Sequence, residues 1–553
     1  MRALLLPGLL PALLLAALPS LAAPPDLVVV VVIDQFPQEY VERFAPYFSK
    51  GGFPRLMTDG AYYPQAWHPH ATTYTCVGHA AIGTGRNPRE HGIVANEWYD
   101  EERERTVYCV EDPRVRSTAG KEMGYSPVLL DGDSLGDRLQ ETYDPALSKV
   151  IGIGLKDRSG ILMAGKKADA AYWFDPAVPG FVSSTYYRFN PRVLEFNRGV
   201  AEFIASVPEW APSDLIPAAD LPRVTWDPPE VAKHKGGSGF PHRIEKASQF
   251  VATPFANDLV LDLARHVIDV EWLGREDGAP DILWIGLSAM DYLGHSYGPD
   301  SLEVADAVVR LDRSLESFVS DLAVRFGDRV TVAVTADHGT QSIPEVLVRR
   351  GKAGGRVALT NPAASVTTIG GMSPVRRDLE KRIARKLGIR LSDASPMDDR
   401  MILRTTTPNF YLNWTRIEAL RLDPERVRRA VRDSLLEIEG VAAAFTSSDL
   451  SVLREPASSV ERAARLSFRA DRSGDVVAYL EPGYIYSGGT TGSTHGQPVE
   501  ADQHVLLMLW GAGVPRGVHP ARVEIPQLAR TLGALLGVDA GTPGGEVLPG
   551  FAK

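Results

Sequence analysis

Six side chains in this sequence are of the kinds that hold hydrolytic metals. Asp291-Tyr-Leu-Gly-His295 places an acid and an imidazole four residues apart, and Asp337-His338-Gly339 places the same pair side by side. Asp34 ends an apolar run, and His495 sits in the glycine-rich stretch GGTTGSTHGQP. Three carboxylates and three imidazoles are the ligand types zinc takes in hydrolytic sites, enough for two ions with three protein ligands each. Two such ions can clamp the attacking and leaving oxygens of a phosphoryl transfer. Taken singly, any one of the six could be a helix cap or half of a salt bridge.

That chemistry asks for a nucleophile. The segment His68-Pro-His-Ala-Thr-Thr-Tyr-Thr75-Cys-Val-Gly-His79 brings Thr75 to the point where a loop enters a helix of small residues. A helix N-terminus offers free N–H groups and the positive end of the dipole, which suits an anion. A hydroxyl there becomes a nucleophile when a metal lowers its pKa. By spacing alone Thr72 and Thr73 compete, Thr75 could be a plain N-cap, and Cys76 is a conceivable thiol nucleophile. Lys156-Asp-Arg158 adds two cations, either a phosphate clamp or a solvated turn. His79 and His91 read as structural, His68 and His70 as loop residues, and Arg86 and Arg89 as local salt-bridge partners. Gly488, Gly489, Gly492 and Gly496 read as turn formers for the loop carrying His495.

The elements that would position these residues follow from apolar runs. LVVVVVID (Leu27 to Asp34) is continuous and β-branched, the pattern of a strand covered on both faces. Lys149–Leu155, Asp281–Leu287, Val330–Thr335 and His504–Trp510 resemble it. Helical patterns lie between, at Asp300–Phe326 and Ile525–Leu536. This alternation predicts an α/β fold with a doubly wound, mostly parallel sheet. In such sheets chemistry collects beyond the C-terminal ends of the strands, and Asp34, Lys156, Asp291 and Asp337 all fall there. Gly339 to Gly489 is Arg-rich, with helical pieces at Arg377–Leu387 and Pro424–Ile438. Its strand signals are shorter, at Met401–Thr406, Asn409–Leu412 and Asp475–Glu481. The expected division is a core of 23–340 and 490–553 with an inserted auxiliary subdomain at 341–489. Asp100–Asp144 and Pro176–Pro254 read as irregular loops capping the site.

The 553 residues carry 59 Lys plus Arg against 69 Asp plus Glu, a formal charge of −10, with 44% apolar residues. Disorder and fibrous repeats are excluded by that composition, and broad phosphate neutralisation of a nucleic-acid duplex is disfavoured. Residues 1–22 have a basic start, an apolar stretch and small residues before Ala22, the pattern of a cleavable signal peptide, which implies a periplasmic or secreted protein. No later run is long enough to span a membrane. Cys76 and Cys109 are the two cysteines, either one disulfide or two separate thiols. Oligomeric state is not encoded in any pattern here.

Six ordered motifs resemble the alkaline phosphatase superfamily, and more closely its type I phosphodiesterase/nucleotide pyrophosphatase group. They are VVVIDQF, TYTCVGHAAIGTGRNPREHGIVANEWYD, GLKDRSG, SAMDYLGHSYGP, TADHG and STHG. The resemblance implies an alkaline phosphatase-like core in which Thr75, within T-x-x-[GN]-H, is the nucleophile and Asn96 contacts a phosphoryl oxygen. It implies one zinc on Asp291, His295 and His495, and a second on Asp34, Asp337 and His338 that also holds the Thr75 oxygen. A Lys-x-Arg pair after this strand resembles the threonine-type alkaline phosphatases, which implies that Lys156 and Arg158 bind the substrate's phosphoryl group. The implied activity is hydrolysis of small phosphate monoesters through a phospho-threonine. A phosphodiesterase or nucleotide pyrophosphatase of the same fold, or a non-catalytic exported metal or phosphate binder, is the alternative. A sulfatase is disfavoured because Cys76-Val-Gly-His-Ala lacks Cys-x-Pro-x-Arg.

Overall fold

The computed structural model describes residues 24–226, 239–275, 278–359, 373–391, 399–541 and 545–551. The expected signal peptide lies outside the described residues.

Among the described residues, nine strands form the central sheet. In chain order they are β1 (Leu27–Ile33), β2 (Ala61–Tyr62), β3 (Val150–Gly154), β4 (Ala170–Asp175), β5 (Gly180–Val182), β6 (Asp281–Leu287), β7 (Val330–Thr335), β8 (Leu507–Gly511) and β9 (Gly517–Val518). Their spatial order is β5-β4-β3-β6-β1-β7-β8-β2-β9. The five from β4 to β7 run parallel. Every residue of β1, β6 and β7 is buried, as continuous apolar runs require when helices cover both faces.

Five helices matter for the site: α1 (Thr75–Thr84), α2 (Asp157–Ala164), α3 (Phe255–Glu271), α4 (Ala289–Tyr297) and α5 (Leu302–Phe326). α5 starts cleanly because the Ser301 side chain accepts from the Val304 N–H, and it buries Val304, Val308, Leu311, Leu315, Phe318 and Leu322. No helix of the described residues is long and apolar enough to cross a membrane.

Three expectations change. The run His504–Trp510 is not one more parallel strand. It breaks into His504–Val505, paired with Ala66–Trp67, and β8, which lies antiparallel to β7. The chain re-enters the core through the His495 loop, on the side where β7 ends, so the strand leaving that loop must run back. The stretch Pro176–Pro254 is not only irregular. It contains the helix Pro191–Ser206, with Asn190 capping, packed beside α3 and the edge strand β5 rather than over the site. Its apolar residues Val193, Phe196, Val200 and Phe203 do recur at helical spacing. Asp100–Asp144 likewise contains the helix Leu135–Thr142 and the strand Arg105–Tyr108, paired with Glu97–Asp100.

Within Gly339 to Gly489 a separate antiparallel sheet orders Ile402–Thr406, Asn409–Leu412, Val476–Leu480 and Val441–Thr446. Helices Pro374–Leu387 and Pro424–Leu435 contribute Leu379, Ile383 and Val431 to its apolar cluster.

Candidate active site

Asp34, Lys156, Asp291, Asp337 and His338 converge because β1, β3, β6 and β7 are parallel near neighbours that end on the same side. The Asp34 N–H bonds to Leu287 O at 2.9 Å and the Phe36 N–H to His338 O at 2.9 Å, tying the ends of β6 and β7 to that of β1.

The first group stands on α4 and the glycine-rich loop. Asp291 and His295 share a helix face by their i,i+4 spacing. Asp291 Oδ1 lies 3.2 Å from His295 Nε2 and 3.4 Å from His495 Nε2. The other nitrogen of each ring meets a carbonyl, His295 Nδ1 at 2.9 Å from Ser493 O and His495 Nδ1 at 2.6 Å from Thr73 O. A carbonyl only accepts, so Nδ1 carries the proton and the Nε2 lone pairs face the carboxylate, as in metal-ligating histidines. The loop makes this reach through Gly492 (φ 71°) and Gly496 (φ 110°). A Cβ at Gly492 would stand 2.2 Å from His295 O.

The second group sits at the ends of β1 and β7. His338 Nε2 lies 3.3 Å from Asp337 Oδ2 and 3.5 Å from Asp34 Oδ1, while its Nδ1 meets Gly339 O at 3.0 Å. In each group one ligand atom per residue lies within 4.8 Å of the others. The His338 and His495 rings stack at 3.6 Å, so the groups adjoin.

These residues fit a pair of divalent cations. Asp34 Oδ1, Asp337 Oδ2 and His338 Nε2 are buried with no hydrogen-bond partner, an arrangement costly for carboxylates unless a cation compensates. Burial, with Asp34 nearby, pushes the Asp337 carboxyl up to about 7. Burial also holds the His338 imidazole well below its ordinary value and lowers that of His495, leaving both in the neutral, ligating form. At Asp291 burial works upward, yet His295 and Lys156 outweigh it and hold the carboxyl well below the usual range. At His295 burial works downward, and Asp291 outweighs it, so the imidazole is raised.

Lys156 and Arg158 stand at the start of α2, with Lys156 as the N-cap residue. The ammonium reaches both groups, 2.8 Å from Asp34 Oδ2 and 2.5 Å from Asp291 Oδ2. In each acid it takes the oxygen that does not face the histidines. Burial lowers both cations' pKa values, but the neighbouring acids and tyrosines outweigh it and both are raised, so both stay charged. The pair is not a solvated turn.

Thr75 is buried at the first position of α1. The N-cap is Tyr74, whose side chain makes no capping bond, so Thr75 is not held there as a cap. Its neighbours touch both groups: Thr73 O accepts from His495, His79 Nδ1 lies 3.1 Å from Asp337 Oδ2, and Gly78 packs against the Asp337 backbone. Asn96 Oδ1 accepts from the Cys76 N–H at 2.9 Å, which places its amide at the same helix end. Cys76 is bonded to Cys109, which removes it as a thiol nucleophile. Thr73 Oγ1 accepts from the Gly496 N–H at 3.1 Å, inside the loop that carries His495.

Several readings of single residues shift. His68 and His70 do lie in a loop, but both are fully buried there, with His68 Nε2 2.9 Å from Ala336 O beneath the second group. His79 bonds Thr75 O, as a structural histidine would, and also reaches Asp337. Arg86 donates to Gly541 O at 2.6 Å instead of pairing locally. Two contributors were not among the expected site residues. Gln35, at φ 65°, donates its backbone N–H to Asp337 Oδ1 at 3.1 Å and its Nε2 to Asp291 Oδ1 at 2.8 Å, linking the two groups. Asp502 accepts from the Gln497 N–H at 2.9 Å and braces the His495 loop. Only adjacency to Asp34 pointed toward Gln35.

The sequence profile of the type I phosphodiesterase / nucleotide pyrophosphatase family matches residues 28–500. Alkaline phosphatase PhoV of Synechococcus elongatus is 30% identical over 542 residues, which covers 96% of this chain and 92% of that protein. Alkaline phosphatase PafA of Elizabethkingia meningoseptica is 29% identical over 532 residues, 93% of this chain and 91% of that protein. The PafA crystal structure superposes with a TM-score of 0.81 at 27% identity, over 93% of this chain and 96% of that one. Murine ectonucleotide pyrophosphatase / phosphodiesterase 5 shares the fold, with a TM-score of 0.50 at 14% identity over 94% of this chain and 97% of that one.

Proposed function

The chain belongs to the type I phosphodiesterase / nucleotide pyrophosphatase family, and from that premise we propose that it is an exported two-zinc alkaline phosphatase hydrolysing small phosphate monoesters through a phospho-threonine. The observation that carries the monoester reading is the cation pair Lys156, buried between both acid–histidine groups, and Arg158, half-buried just beyond it. A monoester dianion carries one more negative charge than a diester, and two adjacent cations, one of them buried, favour that extra charge. The net charge of −10 does not oppose this, because the field is local to the pocket.

Asp291, His295 and His495 would hold one zinc and Asp34, Asp337 and His338 the other; mixed oxygen and nitrogen donors suit that metal. When bound, the ions supply Lewis acidity at the attacking and leaving oxygens. Thr75 Oγ1 bonds to phosphorus as the ester P–O bond breaks, and the departing alkoxide takes up a proton. Water then attacks the phospho-threonine, releasing inorganic phosphate and restoring the hydroxyl. Asn96, Lys156 and Arg158 hold the phosphoryl oxygens through both displacements, where preorganised donors act most strongly. Export is supported by the N-terminal pattern of residues 1–22 and by the Cys76–Cys109 disulfide, which suits an oxidising compartment. The same reading takes 341–489 as an insertion in a core of 23–340 and 490–553, supported by the separate antiparallel sheet within it.

The test is metal analysis together with rates on an aryl phosphate monoester and the matching diester. Wild type should hold two zinc ions and prefer the monoester. Thr75→Ala should keep its zinc and lose nearly all turnover. Removing both the Lys156 and Arg158 side chains should cost the monoester roughly 10²-fold or more, and the diester far less. Unchanged turnover in Thr75→Ala overturns the nucleophile, and a diester preference in wild type makes the chain a diesterase of the same family. Zinc bound with no ester hydrolysed leaves a non-catalytic binder.

A further inference from the structure

Tyr108 has no part in the chemistry above, yet it holds one of the groups that does. Its hydroxyl donates to Asp157 Oδ1 at 2.5 Å and accepts from Arg158 Nη1 at 3.1 Å. Asp157 Oδ1 also accepts the Arg158 backbone N–H at 2.5 Å, so phenol, carboxylate and the two ends of Arg158, backbone and guanidinium, close a small ring of bonds. Burial pushes the Tyr108 phenol well above its ordinary value, which keeps it neutral and able to donate and accept together. Its ring packs edge-on against Tyr125 with centroids 5.7 Å apart.

Covalent structure ties this residue to the nucleophile. Tyr108 ends the strand Arg105–Tyr108, and the next residue, Cys109, is bonded to Cys76, the neighbour of Thr75. The Cys109 N–H donates to Asn96 O at 3.0 Å and the Cys76 N–H to Asn96 Oδ1 at 2.9 Å. Thr75, Asn96 and Tyr108 therefore belong to one cross-linked unit, and Arg158 joins it through the Tyr108 hydroxyl.

We propose that Tyr108 is a positioning residue: its hydroxyl fixes the Arg158 guanidinium relative to Thr75, where the oxygens of a phosphate monoester bind. The proposal rests on the monoester reading above. A free arginine side chain has rotamer entropy to lose, and a fixed point on one nitrogen removes much of it before substrate arrives. Arg158 Nε is buried with no hydrogen-bond partner, so the backbone of this side chain's fork is not held from that side. The charged groups in its field are Asp157, Asp34, Glu97 and Lys156. Without the phenol the guanidinium is free to turn onto Asp34 or Asp157 and away from the phosphoryl group.

The test is a double-mutant cycle of Tyr108→Phe and Arg158→Ala on the zinc-loaded enzyme, read on an aryl phosphate monoester and the matching diester. Tyr108→Phe keeps the ring against Tyr125 and removes only the hydroxyl. In wild type it should lower monoester kcat/KM by about tenfold, with diester kcat/KM changed less than about threefold. In the Arg158→Ala background it should change neither. An equal loss on both esters, or the same loss with Arg158 already removed, overturns the proposal. A wild-type preference for diesters would fall on the functional reading alone, because the cycle still reads the coupling of Tyr108 to Arg158 on the better ester. Should Tyr108→Phe not fold, Asp157→Ala in the same two backgrounds removes the oxygen that accepts from the Tyr108 hydroxyl, cuts the ring of bonds from its other side and reads the same coupling.

Discussion

Gly339→Ala adds one methyl group next to His338, and its consequences can be worked from the coordinates. A Cβ there would stand 2.1 Å from Ala501 O and 2.9 Å from Pro37 Cβ. The first contact is with backbone, so no side-chain rotation relieves it, and ordinary van der Waals separation requires an opening of about 1.3 Å. One bond crosses that gap and a second adjoins it. The Gly339 N–H donates to Asp502 O at 2.8 Å, and Gly339 O receives His338 Nδ1 at 3.0 Å. Overpacking and one lost hydrogen bond together cost about 2–4 kcal/mol. The gain from a less flexible unfolded chain, about 0.4–1 kcal/mol, does not offset that. Metal ligands tolerate about 0.2 Å, so on the two-zinc reading proposed above the Asp337–His338 end of the site should lose its ion while the Asp291 group keeps its own. Zinc should fall from two toward one per chain, and monoester turnover by about 10²-fold or more. Denaturant unfolding and metal analysis on one preparation read both effects. Gly199→Ala is the control: nothing lies within 4 Å of its Cβ, it sits inside the helix Pro191–Ser206, and it should gain up to about 1 kcal/mol with activity intact. A Gly339→Ala protein with two zinc ions and unchanged stability would refute the reasoning.

Metal affinity should rise with pH around neutrality. Asp337 is pushed up to about 7 and His295 is raised, so in acid both hold protons that the metal must displace, whereas His338 and His495 are already neutral. Chelator competition should show affinity falling up to about tenfold per pH unit per proton below 7, and a flat profile from pH 6 to 8 would contradict those shifts. Gln35→Met removes the amide donor to Asp291 while keeping side-chain length, and zinc retention at that group should weaken about 10- to 100-fold by the same competition. Replacing Cys76 and Cys109 by alanine opens a loop with a sequence separation of 33, which should cost about 3–4 kcal/mol in denaturant unfolding; an unchanged midpoint would count against the cross-link.

Some of this molecule can be read without its fold. β1, β6 and β7 are continuous apolar runs, and burial on both faces is a local property of composition, so their bounds are legible directly. Asp291 and His295 are four apart on a helix and Asp337 and His338 are adjacent, so local geometry already pairs each acid with its imidazole. The helix Pro191–Ser206 carried a readable cap and spacing as well, but its proline-rich surroundings obscured it. The meeting of the two groups is different in kind. Lys156 reaches Asp291 across 135 residues and Gln35 across 256, and no short-range pattern encodes such a distance. Strand order decides it, together with the reversal that sends β8 antiparallel and swings His495 over α4. The same holds for Tyr108, which looks like any strand tyrosine until the disulfide sets it beside Arg158. Residue types thus determined which chemistry was available and which elements would carry it. Only tertiary structure decided which oxygen faces which nitrogen, because that depends on chain segments remote in sequence being packed to within a hydrogen bond of one another.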